Sequence, residues 1–83
     1  MSTQPIFSTK DLGRAIKAER ARRRLTQVEL ARHANVSRGV LQKLEEGRGT
    51  VALENALKLV HILSLDLVVQ SRSVESRNLR SRG

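Results

Sequence analysis

Residues 26–47, TQVELARHANVSRGVLQKLEEG, contain two helix starts and a firm stop in a space too short for one ordinary long helix. Thr26 with Glu29 three positions later forms a capping box, and Leu30, Ala31 and Ala34 follow on one face. Asn35 is one of the few residues besides glycine that tolerates a left-handed backbone. Val36 is expected to point inward and plug the turn. Ser37 then caps another helix, with Val40, Leu41 and Leu44 on its inner side, and Gly47 stops it. The expectation is two short helices joined by a tight turn, the second unusually polar outside.

The flanking segments extend the helical reading. STKDLGRAIKAERARRRL predicts an amphipathic helix capped by Ser8, with Asp11 three residues on and Leu12, Ile16 and Arg20 along one face. Gly13 counts slightly against it. The basic end, Arg22, Arg23 and Arg24, suits a helix C-terminus; those arginines either follow phosphates or are solvated, with nothing in the sequence to choose. Thr50 is expected to cap a fourth helix, VALENALKLVHIL, burying Leu53, Ala56, Leu57, Val60 and Leu63.

The period changes at LDLVVQ, residues 65–70, where Leu65, Leu67 and Val69 alternate with Asp66, Val68 and Gln70. This favours a short strand over an extension of the fourth helix. No second strand candidate exists in the chain, so pairing with the same strand of a second copy would satisfy its backbone, through Leu65, Leu67, Val68 and Val69. The expected organisation is an arm over 1–7, a helical domain over 8–64, a dimerisation strand over 65–70 and a disordered basic tail over 71–83. The tail carries Arg72, Arg77, Arg80 and Arg82 and few apolar residues. The fold class is all-α, four to five helices with one short C-terminal strand.

Composition narrows the partners. Sixteen Lys and Arg against eight Asp and Glu give a net charge of +8, which favours an anionic partner over a merely solvated surface. Phe7 is the single aromatic residue, so a surface that stacks unpaired bases is not expected. Without cysteine there is no disulfide and no cysteine zinc site. His33 and His61 are far apart without ligand spacing, and no nucleophile–base arrangement or glycine-rich phosphate loop occurs. No metal, cofactor or enzymatic activity is expected. The N-terminus has no apolar leader core and no run is long enough to span a membrane, so a cytoplasmic, nucleoid-associated location is expected.

Two short helices joined by a tight turn, the second polar outside, make a helix-turn-helix. In that motif the second helix enters the DNA major groove. Leu41 and Leu44 face the domain here, leaving Arg38, Gly39, Gln42 and Lys43 for the groove. Arg38 paired to guanine O6 and N7 is the most specific contact, worth about 1–3 kcal/mol of discrimination. Gly39 admits two readings, close backbone approach to a base or tolerance at an exposed site.

The segments LTQVELA, NVSRGVLQKLEEG and TVALENALKLVHIL resemble the phage-repressor-like (XRE-type) helix-turn-helix domains over residues 9–64. The leading PIFSTKDLGRAIKAER and the strand after the last helix are similar to the HipB-type antitoxin branch. The resemblance implies a homodimer that binds an inverted-repeat operator in double-stranded DNA, represses its own operon and neutralises a HipA-like kinase toxin. It also implies a phosphate contact from Gln27 beside the Thr26 cap, first-turn groove positions at Ser37 and Arg38, and a backbone contact from Arg48. Glu45 would repel phosphate, and the family pairing assigns it to Arg20 as a partly buried structural ion pair. A stand-alone repressor with no protein target is the alternative. A helical interaction module that leaves DNA alone is disfavoured by Arg38, Lys43 and the charge.

Overall fold

The computed structural model describes residues 3–71. Among them are four helices: α1 (Thr9–Arg22), α2 (Gln27–Ala34), α3 (Arg38–Glu46) and α4 (Leu53–Ile62). Residues 65–70 follow Ser64 without helix and without a ladder to any described residue. The chain therefore does not extend α4. The expected tail arginines, Arg72, Arg77, Arg80 and Arg82, lie outside the described residues. No described helix is long and apolar enough to cross a membrane.

The three expected side-chain caps at Ser8, Thr26 and Ser37 are present. Ser8 Oγ accepts from the Asp11 N–H, while Asp11 reaches back to the Phe7 N–H. Thr26 Oγ1 accepts from the Glu29 N–H at 3.0 Å and Glu29 accepts from the Thr26 N–H at 2.8 Å, a complete capping box. That backbone bond, reinforced by the threonine side chain, lowers the pKa of Glu29. Ser37 Oγ accepts from the Val40 N–H at 3.1 Å.

The fourth expected cap is not formed. The cap position of α4 lies two residues beyond Thr50, at Ala52, with no side-chain cap. Packing decides this start, because Val51 lies against the core and carries the chain past Thr50 before the helix can turn.

All four helices stop in the same way. Arg24, Asn35, Gly47 and Ser64 have φ of 58°, 59°, 67° and 55°, in the left-handed region. The residue after each donates its N–H back to a carbonyl five residues earlier: Leu25 to Arg20, Val36 to Ala31, Arg48 to Lys43 and Leu65 to Val60. These 6→1 bonds are the Schellman closure. Three of the donors, Leu25, Val36 and Leu65, also lay an apolar side chain against the core.

The core comprises Ile16, Leu30, Ala31, Ala34, Leu41, Leu44, Ala56, Leu59, Val60 and Leu63. Leu53 and Leu57, expected in it, are exposed at 67% and 43%. The buried stripe of α4 is rotated toward Leu59, a neighbour that the 3–4 pattern admits equally well. Gly13 also corrects its expectation as a mere weakness in α1. It is buried, and a Cβ there would stand 1.8 Å from the Leu44 carbonyl oxygen. The missing side chain lets α1 cross directly over the backbone of α3.

Near the end of α1, Glu19 accepts from Arg22 and Arg23, and the hydrogen bonds from these two hold its carboxyl at about 2. Arg23 also donates to the Leu63 carbonyl at 2.6 Å, tying the end of α1 to the end of α4. Two of the three arginines left undecided thus have partners within the fold. Arg24 serves as a helix stop.

Candidate nucleic-acid interface

α3 is presented as a ridge by the turn before it and by its own inner face. At the turn, Asn35 donates to the Arg32 carbonyl at 3.2 Å and Val36 is half-buried. Leu41 and Leu44 are fully buried and anchor α3 to the domain. This leaves Arg38, Gly39 and Lys43 exposed on the opposite side, with Ser37 at the helix start. No hydrogen bond or ion pair ties the side chain of Arg38 or Lys43 to another described residue.

Gly39 faces open space. The nearest atom to a Cβ built there is Ser37 Oγ at 4.0 Å. Nothing inside the domain requires the glycine, so its internal packing does not explain it.

Gln42 is half-buried and donates to Glu46 at 3.3 Å, and Arg48 donates to the same carboxylate. The hydrogen bonds from Arg48 and then Gln42 lower the pKa of Glu46. Sequence reasoning overlooked Glu46. Its signal is positional: four residues after Gln42 places it one helical turn further along the same face. Two expected contact residues are therefore held by an acidic side chain in the isolated domain.

Behind α3 lies a denser network. Arg20 Nε donates to Glu45 Oε2 at 2.6 Å and its Nη2 to Oε1 at 2.9 Å, a two-pronged pair joining α1 to α3. Arg20 Nη1 donates to the Leu25 carbonyl at 2.8 Å. The bonds to Glu45 raise the already high pKa of Arg20. The Glu45 side chain is only 2% exposed, with no buried side-chain N or O atom left unsatisfied among the described residues. Gln27 Nε2 donates to Glu45 Oε1 at 3.0 Å. The glutamine that the resemblance aimed at phosphate is thus anchored by the ion pair, with its second N–H and its Oε1 remaining for an outside partner. Beside it, with the Glu29 N–H taken by the Thr26 cap, the Gln27 and Val28 N–H groups lack helical acceptors and suit an anion.

The remaining expected positions are dispersed. Leu65 packs partly on the core, whereas Leu67, Val68 and Val69 are exposed at 43%, 65% and 96%. His33 and His61 are exposed on different helices, and no described cluster of His, Cys, Asp or Glu could hold a metal ion.

This geometry has counterparts. The family model described as "Helix-turn-helix" matches residues 16–69. No curated protein sequence matches the chain. Among solved structures, the "HipB-O4 20mer complex" is similar at 25% identity and a TM-score of 0.74, over 83% of this chain and 97% of that one. The "HipA-HipB-O2-O3 complex" is similar at 25% identity and 0.74, over 83% and 97%. The clp gene regulator ClgR from C. glutamicum reaches 35% identity and 0.62, over 76% and 80%. A capped α2, a left-handed turn at Asn35 and an outward-facing α3 occupy the matched region, and the chain belongs to the helix-turn-helix family, in its XRE-type form.

Proposed function

We propose that this protein binds an inverted-repeat operator in double-stranded DNA as a homodimer, represses transcription and acts as a HipB-type antitoxin. The carrying observation is α3 itself: a buried apolar inner face, and an outer face on which the Arg38 and Lys43 side chains have no partner among the described residues. Arg38 and Lys43 read base edges, with Gly39 and Gln42 beside them. The uncapped Gln27 and Val28 N–H groups at the start of α2, the Gln27 side chain and Arg48 hold phosphate on either side. Phosphate contacts position the domain and base contacts give sequence preference. The role is recognition, without catalysis.

Dimerisation through residues 65–70 is supported by the absence of helix and of ladder pairing to any described residue along them, and by the exposure of Leu67, Val68 and Val69. Pairing two such segments covers both the apolar side chains and the open backbone edge. A two-fold dimer presents its α3 helices about 34 Å apart, one turn of duplex. The likeness to structures of HipB with DNA and with HipA supports an operator and a kinase-like toxin as partners.

The test selects duplexes from a random pool and compares the wild type with Arg38→Ala. The wild type is expected to return an inverted repeat with half-sites one helical turn apart. Arg38→Ala is expected to lose about 1–3 kcal/mol of preference for that sequence, while keeping its binding to random duplex. Equal loss on both would remove Arg38 from base reading. Recovery from the host with nuclease added should retain one stoichiometric kinase-like protein; recovery of DNA alone would leave a repressor with no protein target.

A further inference from the structure

α1 carries a second basic feature that the helix-turn-helix does not account for. Lys10, Arg14 and Lys17 follow one another at four- and three-residue spacing, which places them on one flank of the helix. All three are exposed, and none is tied to a described residue by a hydrogen bond or ion pair. This contrasts with Arg20 and Arg22 on the same helix and Arg23 at its C-cap, whose guanidinium groups are engaged by Glu45 and Glu19.

The crossing of α1 over α3 determines where this flank lies. Gly13 rests on the Leu44–Glu45 backbone, and Lys10 packs beneath Gly47, its Cγ 2.9 Å from where a Cβ of residue 47 would stand. The row therefore borders the C-terminal end of α3. Lys17 is near enough to Glu46 to help lower its pKa, after Arg48 and Gln42. That carboxylate lies one turn beyond Gln42, exposed on α3. The other acidic groups of α1 are engaged elsewhere, Asp11 at the helix start and Glu19 with Arg22 and Arg23.

We propose that Arg14 and Lys17, with Lys10 continuing the row, form a phosphate-binding ridge that holds the duplex backbone beside the C-terminal end of α3. The inference rests on the DNA-binding reading above and extends its footprint onto α1. The neighbouring Glu46 carboxylate is paired with Arg48, which reduces its repulsion of the strand there. Such contacts bind without regard to sequence and are weakened steeply by salt.

The test titrates salt against binding of the full chain to a mixed-sequence duplex and compares two doubly neutralised variants. Arg14→Gln with Lys17→Gln is expected to reduce the log–log salt slope by about 2, near 0.9 for each lost phosphate contact. Arg32→Gln with Lys58→Gln removes the same charge from α2 and α4 and should leave the slope nearly unchanged. Thermal melting checks that both variants fold. Equal slopes for the two variants would reduce the effect to net charge and overturn the ridge, as would a wild-type slope in the α1 variant. A wild type that binds no duplex at all would instead remove the DNA-binding reading, and the ridge with it.

Discussion

Gly13→Ala should lower the melting temperature of this domain by about 8–16 °C. The added methyl would meet the Leu44 carbonyl oxygen at 1.8 Å, well inside van der Waals contact, and the neighbouring carbonyl carbon at 2.7 Å. Both atoms are backbone, so no side-chain rotation relieves the clash and α1 must lift from α3. Overpacking of this severity costs about 3 kcal/mol, the upper end of its usual range. In a domain this small each kcal/mol moves the midpoint by about 4–8 °C. The better helix propensity of alanine gains back at most about 1 kcal/mol. Circular dichroism melting decides it; a midpoint within a couple of degrees of the wild type would show that the helices do not approach so closely. DNA binding should decline with folding, because α1 is the surface against which α3 is set.

Glu45→Ala should be comparably damaging for an electrostatic reason. The carboxylate accepts from Arg20 twice and from Gln27 once while almost wholly buried. Removing it leaves a guanidinium, only 16% exposed, facing a void. Losing one member of a buried pair costs about 3–5 kcal/mol, and the residual access of Arg20 to water places this case near 3. A second substitution separates the cause. Glu45→Ala with Arg20→Met removes both charges, so its cost in a urea titration should fall below the sum of the single effects. Strict additivity would show that the two side chains do not interact. Gln27 adds a functional readout, since without Glu45 its amide loses the bond that orients it at the start of α2.

The parts of the fold legible in sequence were those written as local patterns. Ser8, Thr26 and Ser37 each place a side-chain oxygen where the following turn needs it, and Asn35 marks the left-handed joint. The division of α3 into buried Leu41 and Leu44 against exposed Arg38 and Lys43 follows from 3.6-residue periodicity alone. What escaped depends on contacts between elements. Leu53, Leu57 and Leu59 are chemically equivalent, and only the docking of α4 chooses Leu59 for the interior. Thr50 is a good cap by type, but Val51 packs before the helix begins. Gly13 resembles a weak helix residue until α3 is placed beneath it. Glu46 is an ordinary surface acid until Gln42 and Arg48 turn toward it.

The helix stops described above also leave the domain with unspent stability. Arg24, Asn35 and Ser64 hold a left-handed backbone with a side chain attached, at about 1 kcal/mol or more for a residue that is not glycine, asparagine being the least penalised. Gly47 alone adopts that shape without the penalty. A chain with glycine at 24 and 64 would keep its helix boundaries and reading face, yet have a margin the natural sequence lacks. That margin makes it a suitable background for harmful changes on α3 and α1, where loss of recognition must be told apart from loss of the fold.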